Sequence, residues 1–246
     1  MQTYAIGDIH GQLDALRAAH DRIEDDRQRH GDADAPVIHM GDLTDRGPDS
    51  RGVLDHLISG IAAGQPWQVV KGNHDRMFAG FMADADYRDA GLREGRWWTH
   101  PRVGGDATMA SYGVMDTTER DRREIHREAL AAVDPAHPEF LRTLPTHLVR
   151  DGLLFVHAGI RPGILLEQQS EDDLLWIRDD FHVDTRDHGA LIIHGHTPVD
   201  QPTHYGNRVN IDTGAGHGHP LTAVVCEGTT VYVLTDEGRK ELRPAG

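Results

Sequence analysis

Five short apolar runs, each stopping at a cluster of Gly, Asp, His or Asn, constrain this 246-residue chain more than any other feature. Residues 2–6 lead into Gly7-Asp8-Ile9-His10-Gly11, residues 36–40 into Gly41-Asp42, and residues 67–70 into Gly72-Asn73-His74-Asp75. Residues 153–156 lead into His157-Ala158-Gly159, and residues 191–193 into His194-Gly195-His196-Thr197. Short β-branched runs with such punctuation read as buried strands. Residues 208–211, 221–226 and 230–234 read as further strands, the last two as a hairpin around Glu227-Gly228. Between the early runs, residues 13–29 place Leu13, Leu16 and Ile23 on one helical stripe. Residues 50–61 do the same with Val53, Leu54, Leu57 and Ile58. Strand, polar loop, helix, strand predicts a layered α/β architecture. Ligands in such sheets bind beyond the carboxyl ends of the strands, where the polar clusters fall.

From 76 to 150 the chain is richer in charge and helical pattern, with Phe78, Phe81, Trp97, Trp98 and Tyr112 interspersed. This stretch is expected to be a cap inserted into one domain spanning 1–246, since no repeat or low-complexity linker divides the chain. Hydrophobic content of 38% and charged content of 26% suit a globular protein. No apolar run is long enough to span a bilayer, and residues 1–7 carry no secretory pattern. A single cysteine, Cys226, excludes an internal disulfide, so the cytoplasm is the expected compartment and a membrane partner is not expected. A formal net charge of -15 argues against a nucleic-acid surface. It does not exclude a phosphorylated substrate, because bound cations can dominate a pocket's field.

Each cluster alone has an ordinary explanation. Asp8 and His10 can simply end a strand, Asp42 can cap a helix, Asn73 can form a turn, and His157 or His196 can be satisfied structural residues. Together they supply carboxylate, amide and imidazole donors at successive strand ends, a set suited to borderline divalent ions such as Mn, Fe or Zn. Two-metal hydrolases hold such ions about 3.5–4 Å apart, bridged by a carboxylate. The lack of a cysteine cluster argues against a structural thiolate zinc site.

Gly7-Asp8-Ile9-His10-Gly11, Gly41-Asp42-Leu43-Thr44-Asp45-Arg46-Gly47 and Gly72-Asn73-His74-Asp75 resemble the three signatures of the PPP-type phosphoprotein phosphatases, within the calcineurin-like metallophosphoesterase superfamily. His157-Ala158-Gly159 and Gly195-His196-Thr197-Pro198 are similar to the later histidine motifs of its bacterial and phage members. The resemblance implies a β-sandwich flanked by helices, with two divalent cations, manganese first among the candidates and iron or zinc after it. Asp8 and His10 would bind one cation, Asp42 would bridge, and Asn73, His157 and His196 would complete the other shell. His74, oriented by Asp45, would donate a proton to the leaving group. Arg46 would clamp phosphate oxygens. Arg178 would be a second clamp, although its looser motif also allows a surface salt bridge. Water, its pKa lowered by the cations, would attack phosphorus directly.

Three functions compete. The resemblance favours hydrolysis of phosphoserine and phosphothreonine in proteins. A dinucleoside polyphosphate hydrolase, acting on diadenosine tetraphosphate, is the alternative, and a catalytically silent metal-binding module the third. Trp97, Trp98 and Tyr112 are either base-stacking groups or packing residues of the cap. His39 and His194 are expected to pack, His217 and His219 to face solvent, and Asp212 to be structural. Asp75 stands where many members of the family have Glu.

Overall fold

The computed structural model describes residues 2–30, 32 and 34–244. Two sheets face each other, with helices on both outer sides. The elements of the first half are β1 (Gln2–Ile6), α1 (Leu13–His30), β2 (Val37–His39), α2 (Ser50–Ala62), β3 (Trp67–Val69), α3 (Asn73–Ala83), α4 (Gly105–Ser111), α5 (Arg122–Ala132) and α6 (Ala136–Thr143). There follow β4 (His147–Arg150), β5 (Leu153–Val156), α7 (Glu171–Trp176), α8 (Asp179–His182), β6 (Leu191–His194), β7 (Thr203–His204), β8 (Arg208–Asn210), β9 (Ala223–Glu227), β10 (Thr230–Thr235) and β11 (Gly238–Leu242). Sheet one has the order β11-β10-β9-β1-β2-β3, and sheet two β4-β5-β6-β8-β7. The expected α/β sandwich flanked by helices is the observed fold.

The two-residue period of the strands sorts their side chains. Ala5, Ile38, Val224 and Cys226 of sheet one meet Leu153, Phe155, Leu191, Ile193 and Val209 of sheet two in a dry layer between the sheets. Their neighbours Tyr4, Ile6, Val37 and Val225 point the other way, onto Leu16, Ala19 and Ile23 of α1 and Val53, Leu54 and Leu57 of α2. On the far side of sheet two, Leu154, Val156 and Ile192 pack against Leu174 and Phe181 of α7 and α8. Each fully buried Leu, Ile or Phe contributes about 1.5–3 kcal/mol. The Asp49 carboxylate starts α2 by accepting from the Gly52 amide at 2.8 Å.

Three strands had no apolar signal. β4, β7 and β11 are edge strands, and β11 reads Gly-Arg-Lys-Glu-Leu. Charged, half-solvated edges discourage pairing with other chains, and the same property hides them from a hydrophobic pattern. The stretch 76–150 carries the rest of α3, then α4, α5 and α6 separated by irregular segments as far as Thr143, but its last residues, His147–Arg150, belong to sheet two, paired antiparallel with β5. Met77, Phe78 and Phe81 of α3 and Ile125, Ala129 and Leu141 of the following helices join the same apolar cluster as α1 and α2. No helix among the described residues is long and apolar enough to cross a membrane.

Candidate active site

β1, β2 and β3 run parallel, as do β5, β6 and β8. The loops after five of these strands therefore carry the expected residues to one rim of the sandwich: Asp8 and His10, then Asp42, Asp45 and Arg46, then Asn73 and His74, with His157 and His196 from sheet two. Asp212 follows the sixth strand, β8. Local backbone geometry marks the same loops. Of the seven non-glycine residues with positive φ among those described, five are His10, Asp42, Asp45, Arg46 and His196. Such conformations cost on the order of 1–3 kcal/mol each and persist where surrounding contacts impose them. Two glycines let the loops meet. A Cβ on Gly41 (φ +82°) would lie 2.4 Å from the Gly72 amide nitrogen, and one on Gly195 would lie 2.0 Å from Asp8 Oδ1.

Asp42 stands at the centre. Its Oδ2 lies 3.4 Å from His10 Nε2 and 3.9 Å from His74 Nε2, and its Oδ1 lies 3.3 Å from His157 Nε2. Its carboxylate is thereby shared by two buried groups, His10–Asp42–His74 and Asp42–His157–His196, each with donor atoms within 4.8 Å of one another. Burial pushes the Asp42 carboxyl up, but His157, His74, His10 and His196 outweigh it and hold it well below the usual range. His10 donates Nδ1–H to the Thr44 carbonyl at 2.8 Å, and His157 donates its own to the Met40 carbonyl at 2.8 Å. Both rings thus turn an Nε2 lone pair inward.

The donor set fits cations. His157 Nε2 lies 2.9 Å from Asn73 Oδ1 as well as close to Asp42 Oδ1, so lone pairs converge there. Burial opposes a proton on His157. Asp8 Oδ1 and His196 Nε2 are buried with no hydrogen-bond partner, although Asp8 Oδ2 accepts from the His196 amide at 2.9 Å. Unpartnered buried lone pairs are costly in a protein and ordinary for metal ligands. Burial, together with Asp212 and Asp42, raises the Asp8 carboxyl, and burial raises Asp212 to about 6. Positive charge would relieve both.

His74 has a different setting from the other imidazoles. Its Nδ1–H donates to Asp45 Oδ2 at 2.6 Å. The same Oδ2 accepts from Trp98 Nε1 at 2.8 Å, and Asp45 Oδ1 accepts from the Thr108 hydroxyl at 2.7 Å. Arg46 sends Nη1 to within 2.6 Å of His10 Nε2 and Nη2 to within 3.0 Å of His74 Nε2. One lone pair cannot serve both the guanidinium and a cation, so ligation at His10 displaces Arg46 from that nitrogen. Arg178 lies at the exposed rim, its Nη1 donating to the Thr197 hydroxyl at 2.8 Å.

The structure also shows what the motifs did not. Asp75 is fully buried, accepting from the Leu43 amide at 2.9 Å and the Gly72 amide at 2.8 Å, so it ties the Asp42 loop to the start of α3. Thr108 and Trp98 hold Asp45 from within the stretch 76–150, where no local signal marks them. Asp212 is buried, its Oδ1 accepting from the Gly214 amide at 2.9 Å, close enough to Asp8 to act on its charge. His39 lies outside the cluster, in a chain with His20 and His56. His194 is buried against Arg208, and His217 and His219 are exposed.

Paired His/Asp groups sharing one carboxylate, at the rim of a two-sheet sandwich, define a metal-dependent phosphoesterase. The chain belongs to the calcineurin-like phosphoesterase family, whose model matches residues 1–226. It is 28% identical over 250 residues to the asymmetrical bis(5'-nucleosyl)-tetraphosphatase PrpE of Geobacillus thermodenitrificans, covering 93% of this chain and 92% of that protein. A crystal structure of a protein provisionally named a diadenosine tetraphosphatase shares the fold at a TM-score of 0.62 and 16% identity, over 99% of this chain and 95% of that one. A Saccharomyces cerevisiae protein serine/threonine phosphatase shares it more distantly, at 0.50 and 13%, over 98% and 76%.

These comparisons correct the expected substrate. The reading as a phosphatase of phosphoserine and phosphothreonine in proteins is overturned, because the relative that matches along nearly the whole chain is named for a dinucleotide. The shared motifs supply candidate ligands for cations, and such ligands do not require a particular leaving group. The resemblance to the PPP-type enzymes holds for the wider superfamily and, towards those enzymes, for the fold alone.

Proposed function

We propose that this chain hydrolyses dinucleoside tetraphosphates asymmetrically, adding water across one phosphoanhydride to give a nucleoside triphosphate and a nucleoside monophosphate. The observation that carries this reading is the match along more than nine-tenths of both chains to a tetraphosphatase, with two His/Asp groups sharing Asp42. Asp8, His10 and Asp42 would hold one divalent cation, and Asp42, Asn73, His157 and His196 a second, with manganese expected and iron or zinc as alternatives. When bound, the cations supply Lewis acidity and lower the pKa of water.

The chain's own groups do the rest. Arg46 and Arg178 bind phosphate oxygens as planar donors. Asp45 fixes the His74 ring, with Nδ1–H on the carboxylate and Nε2 facing the cluster, so His74 can pass a proton at Nε2 to the departing oxygen. A phosphate leaving group, whose second pKa is about 6, needs that proton far less than an alkoxide does. Hydrolysis of diadenosine tetraphosphate with Mn²⁺ tests the reading. Equal amounts of ATP and AMP are expected, and the reaction should stop on chelation. Two ADP, or no cleavage while phosphopeptides are turned over, refutes it.

A further inference from the structure

A dinucleotide carries two aromatic bases, and Trp97, Trp98 and Tyr112 offer no free platform for them. Trp98 is buried, stacked on Phe78 with ring centres 5.2 Å apart and donating to Asp45. Tyr112 is buried and bonded to His137 at 2.6 Å. The Arg122 guanidinium covers the Trp97 ring at 3.4 Å. Trp67 stacks on His20 at 4.1 Å. All of these rings are occupied by protein partners.

Trp176, at the end of α7, also packs against the cluster shared by α1 and α2, but it is the ring that borders a cavity beside the donor cluster. It is partly exposed, and its ring stands edge-on to His196 with centres 5.7 Å apart. Gly91 backs it so closely that an added Cβ would lie 2.2 Å from the indole, which leaves the ring no room to retreat. Beside it opens a cavity of about 370 Å³, lined by Trp176, Ile177, Arg178, Arg161 and a set of aspartates. That volume lies within the range of small-molecule clefts. Trp176 and Arg178 border both this cavity and the donor cluster, since Thr197, the partner of Arg178, adjoins His196.

Charge sorts what can enter. Asp172, Asp173, Asp179 and Asp180 line the cavity, and Arg161 is already committed to Asp173 at 2.5 Å and Asp180 at 3.1 Å. Carboxylates repel a phosphate but accept from the amino group of a base. Phosphate is therefore confined to the Arg46 and Arg178 side, while an uncharged ring can pass onto Trp176.

We propose that this cavity seats the nucleobase nearest the cleaved phosphate, stacked on Trp176, with Arg178 at the phosphate–ribose junction. The inference rests on the dinucleotide reading above and deepens it. A base held one ribose away from the cluster places the phosphate adjoining that nucleoside at the cations. The monophosphate is then released from one end, which is the asymmetric cut.

The test compares AMP with ribose 5-phosphate as competitive inhibitors of p-nitrophenyl phosphate turnover by the metal-loaded enzyme. The two ligands differ only by the base. Stacking on an aromatic side chain makes AMP the tighter ligand by roughly five- to 150-fold. Trp176→Leu should collapse that advantage to about twofold or less by weakening AMP, whereas Trp176→Phe should keep most of it. An advantage that survives in Trp176→Leu, or is absent in the wild type, overturns the proposal. Should Trp176→Leu fail to fold, 2-aminopurine riboside monophosphate provides the reading in the wild type. Its fluorescence should be quenched on binding and restored by AMP, and the absence of quenching overturns the seat. Failure to cleave diadenosine tetraphosphate alongside a Trp176-dependent preference for AMP would sink the substrate and leave the seat standing. Cleavage with no such preference would do the reverse.

Discussion

Replacing Asp45 separates the geometry of the His74 support from its charge. The carboxylate is fully buried and takes three donors, from His74, Trp98 and Thr108. Asp45→Ala strands all three. Hydrogen bonds to a charged group are worth about 1.5–3 kcal/mol each, so the loss is about 4–9 kcal/mol, comparable with the whole stability of a domain at about 5–15 kcal/mol. Asp45→Asn keeps the framework. Its amide oxygen can occupy the Oδ2 position and accept from His74 and Trp98, while its NH₂ faces Thr108. The threonine hydroxyl can then turn its hydrogen to Ser50 Oγ, 3.0 Å away. Only the charge is lost, at about 1–2 kcal/mol. At about 2–4 °C per kcal/mol for a chain of this size, Asp45→Asn should lower Tm by less than about 8 °C and Asp45→Ala by about 8–36 °C. Calorimetry in the presence of chelator, which removes metal stabilisation from the comparison, reads the difference. Two variants melting within a degree or two of each other would show that the three hydrogen bonds do not hold this side of the site together.

His74→Asn should reduce hydrolysis of an alkyl phosphate by roughly 10²–10⁴-fold and that of diadenosine tetraphosphate by much less, with metal content unchanged, as elemental analysis and parallel rate assays would report. Loss of both metals in that variant would make His74 a ligand instead. Asp42→Asn should lower occupancy of both cations together, because one carboxylate faces both groups; loss of a single equivalent would contradict sharing. Stability should also fall in acid through the His20–His39–His56 chain, of which His39 is buried and the other two partly so. Burial holds His20 down at about 2 and His39 at about 4, so below about 6.5 the unfolded chain takes up protons that the folded one refuses. Their contribution is intact above that pH and declines as pH drops towards 4, by up to about 1.4 kcal/mol per pH unit for each proton. Urea midpoints across this window, taken with chelator, should flatten in a His20→Gln/His39→Gln variant; an unchanged slope would place the acid sensitivity elsewhere.

Much of the candidate donor cluster was legible in the chain because a strand end is both a sequence signal and a spatial one. Asp8, Asp42, Asn73, His157 and His196 follow buried apolar runs, and parallel strands within a sheet deliver their ends to the same rim. The amphipathic stripes of α1 and α2 were readable for a related reason: one face must leave water. β4, β7 and β11 were not readable, since these edge strands, unlike β3 at the other edge of sheet one, are short or polar and carry no apolar run.

What the linear order could not convey was which groups distant in the chain complete one another. Thr108 and Trp98 reach Asp45 across more than fifty residues, and Asp75 ties two loops through backbone amides that any residue would supply. The aromatic residues are equivalent by composition; packing alone buries Trp98 and Tyr112 and leaves Trp176 partly exposed beside His196. The residue types by themselves determined the candidate donors for cations, because that chemistry depends on atoms each side chain carries. The surroundings of the donors were decided by tertiary structure, because burial, charge sharing and the shape of a cavity exist only once separate loops are brought together.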